Sequence, residues 1–193
     1  MLFSTTVLSL AALSTTVLAA PSPWGDNGKG NGRNWGKNRD CKNGPFDFTS
    51  TYNIVATPDQ VVNGTTPTGG LPGAIGYYNF GINSEKDLIC WSITLNGFRG
   101  DYQSPASTAT HIHQAARGAS GPPRLAFPNP VGDEKEAISV GCMTGPFTTG
   151  VSTNGVDSGA GFKVKQIEDD PAAFFADVHS SLAVPGAVRG QLA

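Results

Sequence analysis

Charge is scarce in this sequence: Asp, Glu, Lys and Arg together make up 15% of its 193 residues, against 25 glycines and 14 prolines. Long surface helices and coiled coils, which need dense Glu, Lys, Arg, Leu and Ala, are excluded as the main architecture. Positive charge is short as well. The net charge is −2, and Lys29, Arg33, Lys37 and Arg39 all lie ahead of position 41, so the remainder of the chain is net acidic. A phosphodiester partner needs the reverse, and no nucleic acid is expected. Beyond residue 20 no apolar run reaches the length of a membrane-spanning helix, and the closing Gly190-Gln191-Leu192-Ala193 offers no hydrophobic tail for a lipid anchor. Nucleotide-binding loops, EF-hand spacing, the Gly-x-Ser-x-Gly elbow of hydrolases and long internal repeats are missing too. Histidine and cysteine are limited to three copies each.

What is present divides the chain in three. Residues 2–18 carry no charge and end at Val17-Leu18-Ala19, which predicts a signal peptide over residues 1–19 with cleavage after Ala19. A membrane anchor is the competing reading, disfavoured because the apolar stretch is short and rich in Ser and Thr. Residues 20–40 hold five glycines, four asparagines, Trp24 and Trp35 but almost no aliphatic side chains. Such a segment cannot bury enough apolar area to offset ordering, so it is predicted to be a disordered arm. Residues 41–193 remain as one folding domain. The expected location is secreted and extracellular. Asn63-Gly64-Thr65 is an acceptor triplet for N-glycosylation at Asn63 in a Gly/Pro/Thr-rich loop. Cys41, Cys90 and Cys142 can form one disulfide in an oxidising compartment. Cys90 with Cys142 is favoured, although Cys90 shares strand parity with Ser92 and Thr94 whereas Cys142 shares it with the apolar Ile138 and Val140. A bulge would reconcile them; otherwise Cys41 is a partner.

Apolar residues then alternate with period two. Phe48, Tyr52, Ile54 and Ala56 oppose Asp47, Thr49, Thr51 and Asn53, the pattern of a half-buried strand starting at Phe46. Further strands are predicted over 74–82, 87–95, 108–113, 124–127, 137–142, 161–167, 174–179 and 187–192, with a long loop over 58–73. The one helix-like piece covers 169–173, where Asp170 is placed to cap a turn with Pro171 at its first position. The fold class is all-β: an antiparallel sandwich or barrel with long loops and minimal helix.

The histidines sit in two short segments, His111-Ile112-His113 and Asp177-Val178-His179. If Ile112 and Val178 face the core, all three imidazoles face the other way. On neighbouring strands they would converge within reach of one copper or zinc ion, and three ligands with an open position would permit chemistry. The alternative is that each ring hydrogen-bonds Asp177, Gln114 or loop carbonyls and orders the adjacent Gly/Pro-rich segment.

These segments, with the Gly118-Ala119-Ser120-Gly121-Pro122-Pro123 turn and the ending Pro185-Gly186-Ala187-Val188-Arg189-Gly190-Gln191-Leu192, resemble the CHRD (chordin-type) domain. That resemblance implies an Ig-like sandwich and a stand-alone secreted protein of unassigned activity. The expectation is a non-catalytic binding or structural module whose partner is an extracellular protein or polysaccharide. The chain also resembles copper/zinc superoxide dismutase, in which a His-x-His strand, a late His and an Arg near the chain end are matched in order by His111, His113, His179 and Arg189. With no further histidine, that resemblance implies at most a mononuclear copper site that handles superoxide, with Arg189 attracting anions. Alternatively, Arg189 pairs with Asp177 or a backbone carbonyl and locks the C-terminal hairpin.

Overall fold

Period-two alternation makes the strands, and turn residues separate them. A computed structural model describes residues 47–193; the leader over 1–19, the arm over 20–40 and Cys41 lie outside the described residues. The strands, in chain order, are β1 (Ser50–Ala56), β2 (Val62–Asn63), β3 (Thr66–Pro67), β4 (Ile75–Asn83), β5 (Leu88–Asn96), β6 (Thr110–Gln114), β7 (Pro123–Phe127), β8 (Val131–Gly132), β9 (Ala137–Thr144), β10 (Ser152–Thr153), β11 (Val156–Asp157), β12 (Phe174–Ser180) and β13 (Ala183–Gln191). Two antiparallel sheets dominate, in the orders β1-β4-β5-β9-β8 and β13-β12-β6-β7. They pack as an open sandwich, not a closed barrel. Strands β1 and β13 meet at one edge, where Thr57 and Arg189 exchange backbone hydrogen bonds of 3.0 and 3.1 Å. Glycine is required at that crossing: a Cβ on Gly190 would lie 2.3 Å from Ile54 Cγ2.

The core lies between the inner faces. Tyr78, Ile82, Ile89 and Ile93 from the first sheet meet Ile112, Leu125, Phe127, Phe174 and Val178 from the second, all at or near zero exposure. Each such side chain contributes about 1.5–3 kcal/mol by leaving water. Trp91 packs against Phe127 at 5.1 Å and donates its Nε1–H to Ser139 Oγ at 3.0 Å. Its ring fills the space that a side chain at Gly141 would need.

That packing corrects one reading of the sequence. Small Ser139 and Gly141 face inward beneath Trp91, so apolar Ile138 and Val140 face solvent, 42% and 67% exposed. Cys142 shares their outward parity and lies directly opposite Cys90 on β5, bonded to it without a bulge. Residues 161–167 are also not a strand. Phe162 and Val164 alternate, but Ile167 breaks the parity; the chain turns at Gly161, with φ of +73°, and enters the short helix α1 (Lys165–Asp169). Its Val164 N–H donates to Asp87 Oδ1 at 3.0 Å instead of joining a ladder. A 3₁₀ turn, Pro171–Ala173, follows with Pro171 at its first position, but Asp170 makes no side-chain cap. Within the predicted loop over 58–73, β2 and β3 form a small hairpin that presents Asn63 exposed beside Gly64, whose φ is +64°.

Candidate metal centre

Two i, i+2 pairs on adjacent strands build the site. On β6, His111 and His113 point away from the core because Ile112 between them points into it; Asp177 and His179 flank Val178 on β12 in the same way. The register sets Asp177 opposite His111 on one side and Arg189 on the other. Phe175 falls between His113 and Gln191. His179 comes in at an irregularity between Val178 and Ser180, where its backbone N–H donates to Ala109 O at 2.9 Å.

Facing away from the core does not mean facing water. Asp177, His111 and His113 are 0%, 1% and 8% exposed, and His179 is of intermediate burial. Loops roof the site. Arg189 Nη1 donates to Ala119 O at 3.2 Å, Gln191 Nε2 to Ala115 O at 3.0 Å, and Ser120 Oγ to Val62 O at 3.2 Å. A polar cluster sealed in this way must find its partners internally.

Each ring commits one nitrogen to a backbone carbonyl. His111 Nε2 lies 2.7 Å from Thr108 O, His113 Nδ1 2.8 Å from Gly121 O and His179 Nδ1 2.8 Å from Val184 O. A carbonyl only accepts, so these nitrogens carry the protons, and in a neutral ring the lone pair sits on the other nitrogen. Those other nitrogens converge. His113 Nε2, His179 Nε2 and His111 Nδ1 stand 3.2, 3.4 and 3.9 Å from Asp177 Oδ1, and His113 Nε2 is 3.3 Å from His111 Nδ1. The four atoms lie within 4.8 Å of one another. Both Asp177 oxygens are buried without a well-formed hydrogen bond. Acceptors gathered out of water repel unless a proton or a cation sits among them. Ligands held 2.0–2.1 Å from a tetrahedral ion are about 3.3 Å apart; three of the spacings here are 3.2 to 3.4 Å, and the widest are within 4.8 Å.

The electrostatics follow from burial and from the central carboxylate. Desolvation lowers His111 to about 4, against the opposing pull of Asp177, so this ring is neutral at ordinary pH. Burial also works against the charged form of His179, but Asp177 and the Val184 carbonyl outweigh it and raise the pKa. Burial disfavours the Asp177 carboxylate, yet the charges of His113 and His179 hold it well below the usual range. Desolvation lowers Arg189, whose Nη2 lies 3.5 Å from Asp177 Oδ2. The Arg189 guanidinium sits 3.9 Å over the Phe175 ring, which also stacks on His113 with centroids 5.0 Å apart.

A family model for the CHRD domain matches residues 52–192. The chain belongs to the CHRD-domain family. No curated protein and no solved structure matches it. The match runs from β1 to the end of β13, so it takes in both sheets and all four residues of the CHRD domain's buried cluster.

The sequence singled out His111, His113 and His179, and the CHRD fold brings them together. Asp177 is the addition, since the sequence offered it only as a hydrogen-bond partner. Its signal was available: Asp177-Val178-His179 is a second i, i+2 pair with the spacing of His111-Ile112-His113. Each ring has one nitrogen on a backbone carbonyl, as the hydrogen-bonding reading expected, and the other facing its neighbours in the cluster. Arg189 pairs with Asp177 and a carbonyl, the geometry expected of a hairpin lock. The cysteine pair and Asn63 lie elsewhere, on the five-stranded sheet and on the β2–β3 turn.

Proposed function

We propose that this CHRD domain is an extracellular, non-catalytic module that binds one zinc ion through His111 Nδ1, His113 Nε2, His179 Nε2 and an Asp177 oxygen. The observation that carries the reading is the convergence of three imidazole nitrogens on a buried carboxylate whose oxygens have no well-formed hydrogen bond. The carbonyls of Thr108, Gly121 and Val184 support it as well, because a ligating imidazole is ordinarily oriented by an acceptor on its far nitrogen. A tetrahedral set of nitrogen and oxygen donors suits zinc, and four protein ligands leave no open position for a substrate. The ion would tie β6 to β12 and hold the loops above them. Copper with redox activity is the competing reading, which a square-planar rearrangement would require.

The test is metal analysis of the secreted chain as purified, and after chelation and separate dialysis against zinc or copper(II). Retention of one zinc ion per chain is expected, lost in His111→Ala and His113→Ala. Retention of neither metal refutes the proposal, and retention of copper with superoxide turnover replaces it with the competing one.

A further inference from the structure

The disulfide of this chain is open on one side. Cys90 and Cys142 face each other across β5 and β9 on the outward side of the five-stranded sheet, within a run of eight paired residues. Cys90 is 9% exposed, whereas Cys142 is exposed to solvent. The chain holds three cysteines, so Cys41 has no partner left within it. Cys41 stands six residues before Asp47, the first residue described. Asp47 is fixed beside these strands, because its carbonyl accepts from Asn83 Nδ2 at 2.7 Å. The ring of Phe48 reaches the outward side itself: a Cβ on Gly81 would lie 2.4 Å from it, and it lines one groove with both bonded cysteines.

Reach can be set against distance. Asn83 pairs with Leu88 and Leu88 with Thr144, and Cys142 lies two residues along β9 from Thr144. Two strand spacings of about 4.8 Å and two residues of about 3.4 Å put Cys142 about 12 Å from Asn83. Six residues of extended chain span about 20 Å. A thiol on so short a tether meets its target at an effective concentration on the order of millimolar.

We infer that the three cysteines form a thiol–disulfide exchange site, in which Cys41 attacks Cys142 and displaces Cys90. Access selects the sulfur attacked, since the thiolate must approach it and Cys90 is the more buried of the two. Cys41 gives its proton to water, and its thiolate forms the new Cys41–Cys142 bond. The electron pair of the broken bond leaves on Cys90, which takes a proton from water. Nothing is oxidised or reduced on balance, so no outside reagent is required. With either partner for Cys142, β5 and β9 keep their backbone ladder and the sheet survives the exchange. What changes is the tie of residue 41 to β9 and the release of Cys90 as a thiol. The histidine cluster lies on the other sheet, so this inference is independent of the zinc reading.

Peptide mapping of the secreted chain tests it. Samples held at about pH 8, where thiolate is populated, are quenched in acid, unfolded, alkylated with N-ethylmaleimide and digested without reduction. With time at that pH the label is expected to pass from Cys41 to Cys90 as the Cys41–Cys142 peptide replaces Cys90–Cys142. Dilution by about tenfold should leave the rate unchanged, because attack within one chain does not depend on concentration. Cys41→Ser should lose all label at Cys90. Cys90→Ser retains only the attacking and attacked thiols, and should close Cys41–Cys142 within the chain under air. Label that stays on Cys41 in the unsubstituted chain overturns the inference. So does a Cys90→Ser chain that keeps both thiols or dimerises through them, and so does a secreted chain that begins beyond residue 41.

Discussion

Asp177→Asn removes one charge from the centre of the buried cluster and almost no volume. In the folded protein Asp177 is 0% exposed and faces three ring nitrogens at 3.2 to 3.9 Å and the Arg189 guanidinium at 3.5 Å. Without the carboxylate, Arg189, itself 5% exposed, keeps only the Ala119 carbonyl and its stack on Phe175. Removing one partner of a buried ion pair costs about 3–5 kcal/mol, because the other charge stays out of water unpaired. In a domain of about 150 residues each kcal/mol moves the melting temperature by about 2–4 °C, which gives a fall of roughly 6–20 °C. Scanning calorimetry of zinc-loaded wild type and variant at pH 7 measures it, and competition with a chromophoric chelator measures zinc affinity in parallel. Affinity should fall by more than about 100-fold, beyond the loss seen when a mere orienting partner of a ligand is removed. A melting temperature within about 2 °C of wild type, or an unchanged zinc affinity, would show that the carboxylate is not the centre of the cluster.

Further expectations concern pH, the disulfide and the two faces of the sheets. In metal-free protein, His111 binds its proton at about 4 when folded and 6.5 when unfolded; its contribution is therefore lost as pH falls through that window, about 3 kcal/mol in all. His179 is shifted upward, so its contribution is complete below 6.5 and is lost as pH rises through its folded value. Urea unfolding of the chelated protein should show a stability maximum near pH 6.5, and a monotonic profile from pH 4 to 8 would contradict it. Reduction of Cys90–Cys142, separated by 52 residues, should cost up to about 4 kcal/mol by loop closure, and an unchanged urea midpoint under reductant would refute this. Ile112→Ala should destabilise by about 2–5 kcal/mol and Val140→Ala by less than about 0.5, because one side chain is sealed between sheets and the other faces solvent. Equal losses would mean the facing is wrong.

The sequence by itself determined the all-β class, the strands around the histidines and the direction of their side chains. Alternation puts the histidines opposite Ile112 and Val178, and any register that buries both of these keeps His111, His113 and His179 on the same side, whereas a one-residue slip would separate them. It misjudged residues 161–167 because two alternating apolar residues, Phe162 and Val164, look the same at the start of a strand and at the entry to a helix. Misplacement of Ile138 and Val140 came from taking apolar character as proof of an inward direction, when the bulk of Trp91 on the neighbouring strand already filled that space. What only the tertiary structure decided was depth and company. Strand parity says which way a side chain points but not what covers it; the loops over the histidines come from residues 58–62 and 115–121, distant in sequence from β12. Asp177 became central through register, which places it between His111 and Arg189 across three strands, and register depends on how whole sheets pair.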